Sequence, residues 1–589
     1  MCGIVSVISY KDNVVDDVIA SLKRLEYRGY DSAGIAFLSE NSNLERIRSV
    51  GKVDNLANKI KNREIKARSC IGHTRWATHG KVTESNAHPH ISDGVAIVHN
   101  GIIENYTELK NKLISDGFEF ESETDSEVIA KTIAKHIKDG ADFVSAFKKS
   151  IKEFVGTYAI VAIYAKEPNL LIGTKKGSPM AVGISSDGQS GYIASDAVAL
   201  STLAENLAYM EEGDIVVIEK GSEIKYNIYD SKENAVSRTI TENKVSLSDV
   251  TKNGYSSFML KEIFEESIVA KRTFDSYNYD IDLTEYKNVS IIACGTSYYA
   301  GMLAKYWIED KLRIHVDVEV ASEFRYRNPV LHKDGLYIFI SQSGETIDTL
   351  YALRLVKEAG IKTLAIVNVA TSSIAREADF MIKTEAGVEI GVASTKAFVS
   401  QIMALLIMSC GKDKVNINAI QDAINSILNG SIDFTQLAKK IIASKSIFYI
   451  GRGSCYPIAL EGALKIKEIS YLLAEGIPSG EIKHGPLALV DENVITIAFA
   501  PNGIMLEKVL SNCQEISARH GYIVLVTNTE DFDKKLNNIF CINMSKIRNN
   551  DAYIFACTTF IHLLAYHTAT AMLRDVDKPR NLAKSVTVE

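Results

Sequence analysis

Hydrophobic and polar residues alternate differently in the two halves of the chain. In the first half, short apolar runs typical of strands are interrupted by amphipathic stretches typical of helices. The apolar runs cover residues 3–9, 32–38, 94–100, 157–165, 169–174 and 214–219, and the helical patterns cover about 14–26, 104–116, 125–138 and 142–153. Strands followed by groups of helices and then by more strands predict a mixed, layered α/β domain rather than alternating βαβ units.

The second half repeats a strand–loop–helix unit, which predicts a parallel sheet covered by helices. Buried-type strands are expected at 289–294, 336–340 and 363–368, and the same pattern returns at 446–454, 493–503 and 522–528. Aligning Gly295 with Gly453, Gly344 with Gly503 and Asn368 with Asn528 gives offsets of 158, 159 and 160 residues. Offsets that agree this closely predict a duplicated domain of about 150 residues.

Polar, weakly periodic segments separate these regions. Residues 231–256 are of this kind and indicate a linker. We therefore expect domains at residues 2–235, 257–425 and 426–575, a linker at 236–256 and a polar C-terminal tail at 576–589.

Composition narrows the class of protein. The 589 residues are 46% hydrophobic and 24% charged, which is typical of a globular protein and excludes a mostly disordered chain. The net charge of −7 argues against a large surface for nucleic acid or anionic lipid. Eight cysteines without a CxxC pair, an N-terminus without a basic stretch, and apolar segments half the length of a bilayer span predict a reduced, cytoplasmic protein.

The segment Ser341-Gln342-Ser343-Gly344-Glu345-Thr346 lies between a predicted strand and a predicted helix. The first N–H groups of such a helix are unpaired and can bind a phosphate. The hydroxyls offer further hydrogen bonds, and the glycine lets the backbone come close to the ligand, so the segment fits a phosphate-binding turn. A hydroxyl-rich helix cap is the alternative. The corresponding turn of the second repeat, APNG, lacks the hydroxyls, so we expect one phosphate site per chain, with the CGTS turn at 294–297 beside it.

Glu461, Lys465 and Glu468 are spaced four and three residues apart and share one face of a predicted helix. A surface ladder of ion pairs is the ordinary interpretation. The helix follows the glycine-rich turn of the second repeat, however, and the segment around Lys483-His484 comes soon after. Carboxylate, lysine and histidine together suit proton transfer next to a carbonyl.

Cys2 is a candidate nucleophile. Removal of Met1 would leave Cys2 with a free α-amine that can act as the base for its own thiol. An ordinary cysteine at the start of a strand is the alternative.

Further polar residues of the first half fit a site for a free amino acid. Asn100 and Gly101 at a strand end offer an amide and an N–H for an oxyanion hole. Arg75 and Asp125 could bind a carboxylate and an ammonium group. Five histidines lie between residues 73 and 99, but without the spacing of a metal site, so we expect hydrogen-bonded loop histidines and no metal.

Taken together, these motifs resemble one family, the isomerising glutamine–fructose-6-phosphate aminotransferases. The resemblance runs in order along nearly the whole chain, through MCGIV, EYRGYDSAG, HTRWATHG, NAHPH, VHNGIIEN, SETDSEVIA, CGTSY, ASEFRYR, SQSGETIDTL, EIGVASTKAF, ALEGALKIKEISY, GEIKHGPLAL and PRNLAKSVTVE. It implies an N-terminal-nucleophile αββα amidotransferase domain, followed by two sugar isomerase (SIS) domains with doubly wound parallel sheets. The implied reaction makes glucosamine 6-phosphate and glutamate from fructose 6-phosphate and glutamine, without a cofactor, in a homodimer.

The resemblance also implies roles for individual residues. Cys2 would attack glutamine, Asn100 and Gly101 would stabilise the oxyanion, and Glu468 would move a proton between C1 and C2. His484, donated by the neighbouring subunit, would open the sugar ring, and Lys584 would form a Schiff base with the open sugar. The implied glutamine-binding positions are Arg75, Trp76, Thr78, His79, Gly101 and Asp125, and the implied sugar-phosphate positions are Ser297, Ser341, Gln342, Ser343, Thr346, Val392, Lys465 and Ala583.

Two alternatives stay open at this stage. A sugar-phosphate-binding regulator built on SIS domains would have a silent first domain. Another glutamine amidotransferase is the second alternative, although an SGGxDS nucleotide loop and a GxxxxGK[ST] loop do not occur. The chain departs from the usual family pattern at Ser454, where an acidic residue is usual, and at residues 474–481; neither departure replaces an assigned residue.

Overall fold

The computed structural model describes residues 2–39, 41–246, 248–279, 281–430, 432–530 and 538–586. Contacts along the chain divide it into two units. One comprises the residues up to Thr251 together with those from Ala583 onward, and the other is Lys252–Leu582.

Within its described residues, the first unit forms an eight-stranded and a seven-stranded sheet, both antiparallel. Its strands are β1 (Gly3–Ser9), β2 (Ser32–Ser39), β3 (Leu44–Val50), β4 (Ala67–Arg75), β5 (His90–Ser92), β6 (Val95–Ile103), β7 (Gly156–Tyr164), β8 (Leu170–Lys176), β9 (Ala181–Ile184), β10 (Ser190–Ala194), β11 (Asn206–Tyr209), β12 (Ile215–Lys220), β13 (Ile224–Tyr229), β14 (Ala235–Val236) and β15 (Ile240–Glu242). Its helices are α1 (Val15–Leu25), α2 (Val53–Ile60), α3 (Tyr106–Ser115), α4 (Glu127–Lys138) and α5 (Phe143–Ile151). The strand orders are β15-β11-β9-β10-β1-β4-β2-β3 and β14-β13-β12-β8-β7-β6-β5.

Apolar residues on both faces of the second sheet explain the layers of this unit. Successive side chains of a strand point to opposite faces. Val98 of β6 packs with Ile4 and Ile71 of the first sheet, whereas its neighbour Ile97 packs with Val128 of α4 on the other side. The two sheets thus face each other, with helices outside, which confirms the predicted αββα arrangement. A strand buried on both faces reads as an unbroken apolar run rather than an alternating one.

Within its described residues, the second unit contains two five-stranded parallel sheets. Its strands are β16 (Asn288–Ala293), β17 (His315–Val320), β18 (Leu336–Ser341), β19 (Lys362–Val367), β20 (Phe380–Lys383), β21 (Ser446–Gly451), β22 (Ala474–Pro478), β23 (Val494–Ala500), β24 (Tyr522–Thr527) and β25 (Ile539–Asn543). Its helices are α6 (Phe258–Phe264), α7 (Glu266–Ser276), α8 (Gly295–Leu312), α9 (Ala321–Tyr326), α10 (Ile347–Glu358), α11 (Ser373–Glu377), α12 (Lys396–Cys410), α13 (Ile417–Leu428), α14 (Phe434–Ala443), α15 (Cys455–Ser470), α16 (Leu506–Ser517) and α17 (Asn550–Ala571).

The two parallel sheets have the same topology. Their orders, β17-β16-β18-β19-β20 and β22-β21-β23-β24-β25, are both the doubly wound order 2-1-3-4-5. The predicted duplication is therefore confirmed, and each sheet has its topological switch point between its first and third strands. Ligands of doubly wound sheets bind at the carboxyl ends of the strands at that point. In the described part of the chain, none of the helices combines the length and apolar character needed to span a bilayer.

The structure shows ordered elements in both the predicted linker and the predicted C-terminal tail. Strands β14 and β15 lie within residues 231–256, where the sequence indicated a linker, because strands of two and three residues are too short to produce an alternating pattern. At the start of the polar tail, Val576 and Asp577 are buried. The Asp577 carboxylate accepts hydrogen bonds from the backbone N–H groups of Phe258 and Met259, at 3.0 and 2.9 Å. Residues 587–589 of the predicted tail lie outside the described residues.

Candidate active sites

The candidate nucleophile lies where three strands of the first unit come together. Cys2 immediately precedes β1, whose Gly3 pairs with Thr74 of β4. The Cys2 sulfur accepts a hydrogen bond from the Trp76 N–H at 3.2 Å, and its thiol lies 3.5 Å from the Trp76 carbonyl oxygen. Burial raises the pKa of the Cys2 thiol, so a base is needed to form the thiolate at neutral pH. Met1, whose removal the sequence analysis considered, lies outside the described residues.

Asn100 and Gly101 of β6 lie beside this cysteine. The Asn100 side-chain amide donates to the Cys2 carbonyl oxygen at 3.1 Å. Gly101 has a φ of +120°, and a Cβ atom there would lie 2.0 Å from the Thr157 carbonyl oxygen, so only glycine fits. The structure thus brings a thiol, a side-chain amide and a glycine N–H into one place, which are the groups that an acyl-transfer site requires.

The histidines near this site form a buried group. The rings of His73 and His88 are stacked with centroids 4.1 Å apart, and His90 and His99 lie against His88. Burial lowers the pKa of all four rings, that of His73 to about 3, so they are neutral at physiological pH. Among the described residues, no three His, Cys, Asp or Glu side chains are grouped in a way that could hold a metal ion.

Two of the predicted glutamine-binding residues are held by strands of this site: Arg75 belongs to β4, and Asp125 is hydrogen-bonded to β6. Arg75 ends β4 and is buried; its guanidinium donates to the backbone carbonyls of Lys81, at 3.3 Å, and of His79. The Asp125 carboxylate, also buried, accepts the Ile103 N–H at 2.8 Å.

The remaining three glutamine-binding candidates lie in the loop after β4. The Trp76 ring meets Tyr30 edge to face at 5.6 Å, His79 meets Tyr106 at 5.8 Å, and Thr78 is exposed. Direct hydrogen bonds join Cys2, Trp76 and Asn100. Arg75 bonds instead to backbone carbonyls, and Asp125 accepts from the Ile103 N–H and the Ser126 hydroxyl.

In the second unit, the predicted phosphate-binding turn lies at the switch point of the first parallel sheet. Strands β16 and β18 are adjacent, and their carboxyl ends lead into α8 and α10. The Ser341 hydroxyl lies 2.9 Å from the Thr346 hydroxyl and accepts the Gly344 N–H at 3.0 Å. In the neighbouring turn, the Ser297 hydroxyl accepts a hydrogen bond from the Gln401 amide at 3.0 Å. Both turns point hydroxyls and helix N-termini to one edge of the sheet, where a phosphate can bind.

Glu461, Lys465 and Glu468 of α15 form an ionic group in which Glu461 and Lys465 are buried and Glu468 is half-buried. The Lys465 ammonium lies 3.3 Å from a Glu461 oxygen and 2.5 Å from a Glu468 oxygen. Glu461 and Lys465 are fully buried, so the alternative of a surface ladder is wrong. Burial opposes the charge of Lys465, but the two carboxylates outweigh it and raise its pKa above the ordinary value.

Thr296 connects this group to the phosphate-binding turns, and the sequence analysis did not single it out. Its hydroxyl accepts from the Lys465 ammonium at 3.0 Å and donates to Glu461 at 3.2 Å. Thr296 lies in the first turn of α8 of the first repeat, whereas Lys465 and Glu461 belong to α15 of the second. The ionic group therefore lies against the CGTS turn of the first repeat, and both repeats contribute to one site.

The sequence did not predict a second buried polar group. The fully buried Glu266 carboxylate lies 2.6 Å from His562 Nδ1 and accepts the Thr559 hydroxyl at 2.6 Å. Glu266 and His562 are separated by 296 residues. Spacing along a single helix cannot indicate such a pair.

Outside the two turns and the ionic group lie four further candidates for the sugar site. His484 is exposed, after a short 3₁₀ turn. The Val392 N–H donates to the Asp577 carbonyl oxygen at 3.0 Å, so the position is fixed by the start of the tail. Ala583 and Lys584 belong by their contacts to the first unit.

Comparisons with known proteins identify the two kinds of domain and the family. The model of the SIS domain family matches residues 282–408 and 440–568, and a glutamine amidotransferase domain model matches residues 73–202. Proteins named glutamine–fructose-6-phosphate aminotransferase (isomerising) from Zymomonas mobilis and Legionella pneumophila are each 44% identical to this chain, with all of both chains covered.

Solved structures resemble the second unit. The C-terminal domain of glucosamine-fructose-6-phosphate aminotransferase from Francisella tularensis is 39% identical, with a TM-score of 0.52, over 56% of this chain and 100% of that one. Tagatose-6-phosphate ketose/aldose isomerase from Escherichia coli shares the fold, at 17% identity and a TM-score of 0.51, over 56% of this chain and 96% of that one.

Proposed function

The chain belongs to the family of isomerising glutamine–fructose-6-phosphate aminotransferases, and from that premise we propose which of its residues carry each step. The reaction converts fructose 6-phosphate and glutamine to glucosamine 6-phosphate and glutamate. Two independent active sites on one chain support the proposal best. A thiol beside an amide and a glycine N–H lies in the first unit, and a hydroxyl-rich turn beside an ionic group lies in the second.

We assign glutamine hydrolysis to the first unit. The Cys2 sulfur attacks the side-chain amide carbon of glutamine after losing its proton to the α-amine of the processed chain. Asn100 and the Gly101 N–H stabilise the negative oxygen of the tetrahedral intermediate. Arg75 and Asp125 hold the α-carboxylate and the α-ammonium of glutamine, with Trp76, Thr78 and His79 around them. The C–N bond of the intermediate then breaks as the protonated α-amine returns its proton to the nitrogen, which leaves as ammonia and gives a thioester. Water hydrolyses the thioester to glutamate and the free thiol, and ammonia passes internally to the sugar.

We assign amination and isomerisation of the sugar to the second unit and the tail. Lys584 forms a Schiff base with the open-chain ketone, ammonia displaces the lysine, and Glu468 transfers a proton between C1 and C2. Lys465 lies 2.5 Å from Glu468 and holds its carboxylate in place as an ion-pair partner. The side chains of Ser297, Ser341, Gln342, Ser343 and Thr346, with the backbone at Val392 and Ala583, bind the sugar phosphate.

A homodimer in the cytoplasm completes the proposal. His484 opens the sugar ring in the site of the partner subunit, and its exposure is compatible with that role. Eight cysteines in 589 residues are typical of a reducing compartment.

The test of this function supplies the full chain with glutamine and fructose 6-phosphate, with no metal or nucleotide added. We expect equal amounts of glutamate and hexosamine phosphate, measured by amino-acid analysis and mass spectrometry. Glutamate without amino sugar, or sugar-phosphate binding without glutamate, would contradict the proposal. The second outcome would instead favour a regulator built on SIS domains.

Replacement of Lys584 by alanine tests the Schiff base. Borohydride reduces an imine to a stable amine, so the wild-type chain incubated with fructose 6-phosphate should gain at Lys584 the mass of the sugar less one water plus two hydrogens. We expect Lys584→Ala to lose this adduct, and Lys578→Ala, a lysine of the same tail, to retain it. An unchanged yield of adduct in Lys584→Ala, measured by mass spectrometry of peptides, would overturn the assignment.

A further inference from the structure

We propose that His73 is a positioning residue of the glutamine site, because its Nε2–H fixes the side-chain amide of Asn100 in the orientation that stabilises the oxyanion. The inference rests on the proposed function of Asn100. It adds a role for a histidine that has no part in binding glutamine or in the covalent chemistry.

The hydrogen bonds around His73 fix the position of its proton. Its Nε2 lies 2.9 Å from the backbone carbonyl oxygen of His99 and 3.1 Å from Oδ1 of Asn100. A backbone carbonyl oxygen can only accept a hydrogen bond. Nε2 must therefore carry the hydrogen, which it shares between the two oxygens.

The proton on His73 then decides which way the Asn100 amide points. An amide NH₂ group facing the Nε2–H would place donor against donor, so the oxygen must face His73. The NH₂ group consequently points the other way, where it donates to the Cys2 carbonyl oxygen at 3.1 Å. One amide hydrogen is used in that bond, and the second remains for the oxyanion. If the amide turned over, it would present its oxygen to the developing negative charge.

The surroundings of His73 keep this arrangement in place. The ring is fully buried and stacked on His88, with an interplanar angle of 20°. Its Nδ1 is buried and has no hydrogen-bond partner among the described residues. The other tautomer would bury an unpaired N–H at Nδ1 and leave a bare nitrogen facing two oxygens, which costs free energy at both ends. Burial also lowers the pKa of His73 to about 3, so the ring remains neutral over the working range of pH.

The other histidines of the buried group bond elsewhere and provide a control. His99 Nδ1 lies 2.9 Å from the Ser126 hydroxyl, and His90 Nε2 lies 3.2 Å from the Thr124 hydroxyl. A substitution at His90 therefore disturbs the same buried group without removing a bond to Asn100.

The test compares His73→Phe with His73→Gln in the full chain. Phenylalanine can keep the stacking on His88 but cannot donate, whereas the glutamine side chain can place an N–H near the position of Nε2. We expect His73→Phe to lower kcat for glutamine hydrolysis by about 10²-fold or more, the usual loss when an oxyanion donor is misplaced, with little change in KM. We expect His73→Gln to recover most of that loss and His90→Phe to leave kcat near the wild-type value.

Two further measurements and a second donor-free variant make the outcome decisive. Isomerisation of fructose 6-phosphate should persist in His73→Phe because it does not use the glutamine site, and a chloroketone analogue of glutamine should still alkylate Cys2 because the thiol itself is unchanged. His73→Leu, a smaller donor-free variant, replaces His73→Phe if the latter does not fold. An unchanged kcat in the donor-free variant, an equal loss in His73→Gln, or a change confined to KM would overturn the inference. Absence of glutamine hydrolysis in the wild-type chain would instead refute the proposed function.

Discussion

Replacing Cys2 by alanine should abolish glutamine-dependent synthesis while leaving the sugar reactions intact. The sulfur is the protein atom that forms a bond to the glutamine carbon in the proposed mechanism, and removing such a nucleophile lowers kcat by on the order of 10⁴-fold or more. Alanine preserves a small second residue, so processing of the chain start should be unaffected. Glutamate release measures the first half-reaction, and isomerisation of fructose 6-phosphate measures the second.

An exposed thiol elsewhere in the chain serves as the matched control. Cys541 is exposed on β25 of the second unit, and Cys541→Ala should keep full glutamine-dependent activity. The chloroketone analogue of glutamine should label the wild-type chain and Cys541→Ala once each, and should not label Cys2→Ala. Glutamine-dependent turnover by Cys2→Ala at the wild-type rate would defeat the assignment of the nucleophile.

The sequence could predict elements and turns because both depend on neighbouring residues. The apolar run at 336–340 became β18 (Leu336–Ser341), and the hydroxyl-rich turn after it lies at a switch point. The expectation that Asn100 and Gly101 lie at a strand end was wrong, because β6 continues to Ile103 and both residues lie within the strand. The duplication was visible because nearly equal offsets between matching residues can be recognised without any knowledge of packing.

Local sequence patterns could not predict burial or contacts between segments that are distant along the chain. The spacing of Glu461, Lys465 and Glu468 gave a shared helical face, but not whether that face meets water or protein. Lys465 is buried because α15 packs against the turn that holds Thr296, 169 residues earlier in the chain. The pairing of Glu266 with His562 depends in the same way on two helices that meet only in the folded unit.

The second large effect is expected from Glu468→Gln. The amide has nearly the shape of the carboxylate and can still accept a hydrogen bond from Lys465, which keeps Glu461 as an ionic partner. It cannot take a proton from carbon at neutral pH, and a positioned general base contributes about 10² to 10⁴-fold to the rate. We therefore expect synthesis to fall by that factor, while glutamine hydrolysis in the absence of sugar is unchanged.

Exchange of the sugar proton with solvent separates loss of the base from loss of binding. In deuterium oxide, the wild-type chain should introduce deuterium at C1 of fructose 6-phosphate, and Glu468→Gln should not, although it should bind the sugar with similar affinity. Glu475→Gln, at an exposed carboxylate seven residues further along, should exchange as the wild-type chain does. Exchange by Glu468→Gln at the wild-type rate would assign proton transfer to another group. Loss of binding would instead make Glu468 a sugar ligand, because a base that acts only on the C–H bond affects the transition state and not the bound ground state.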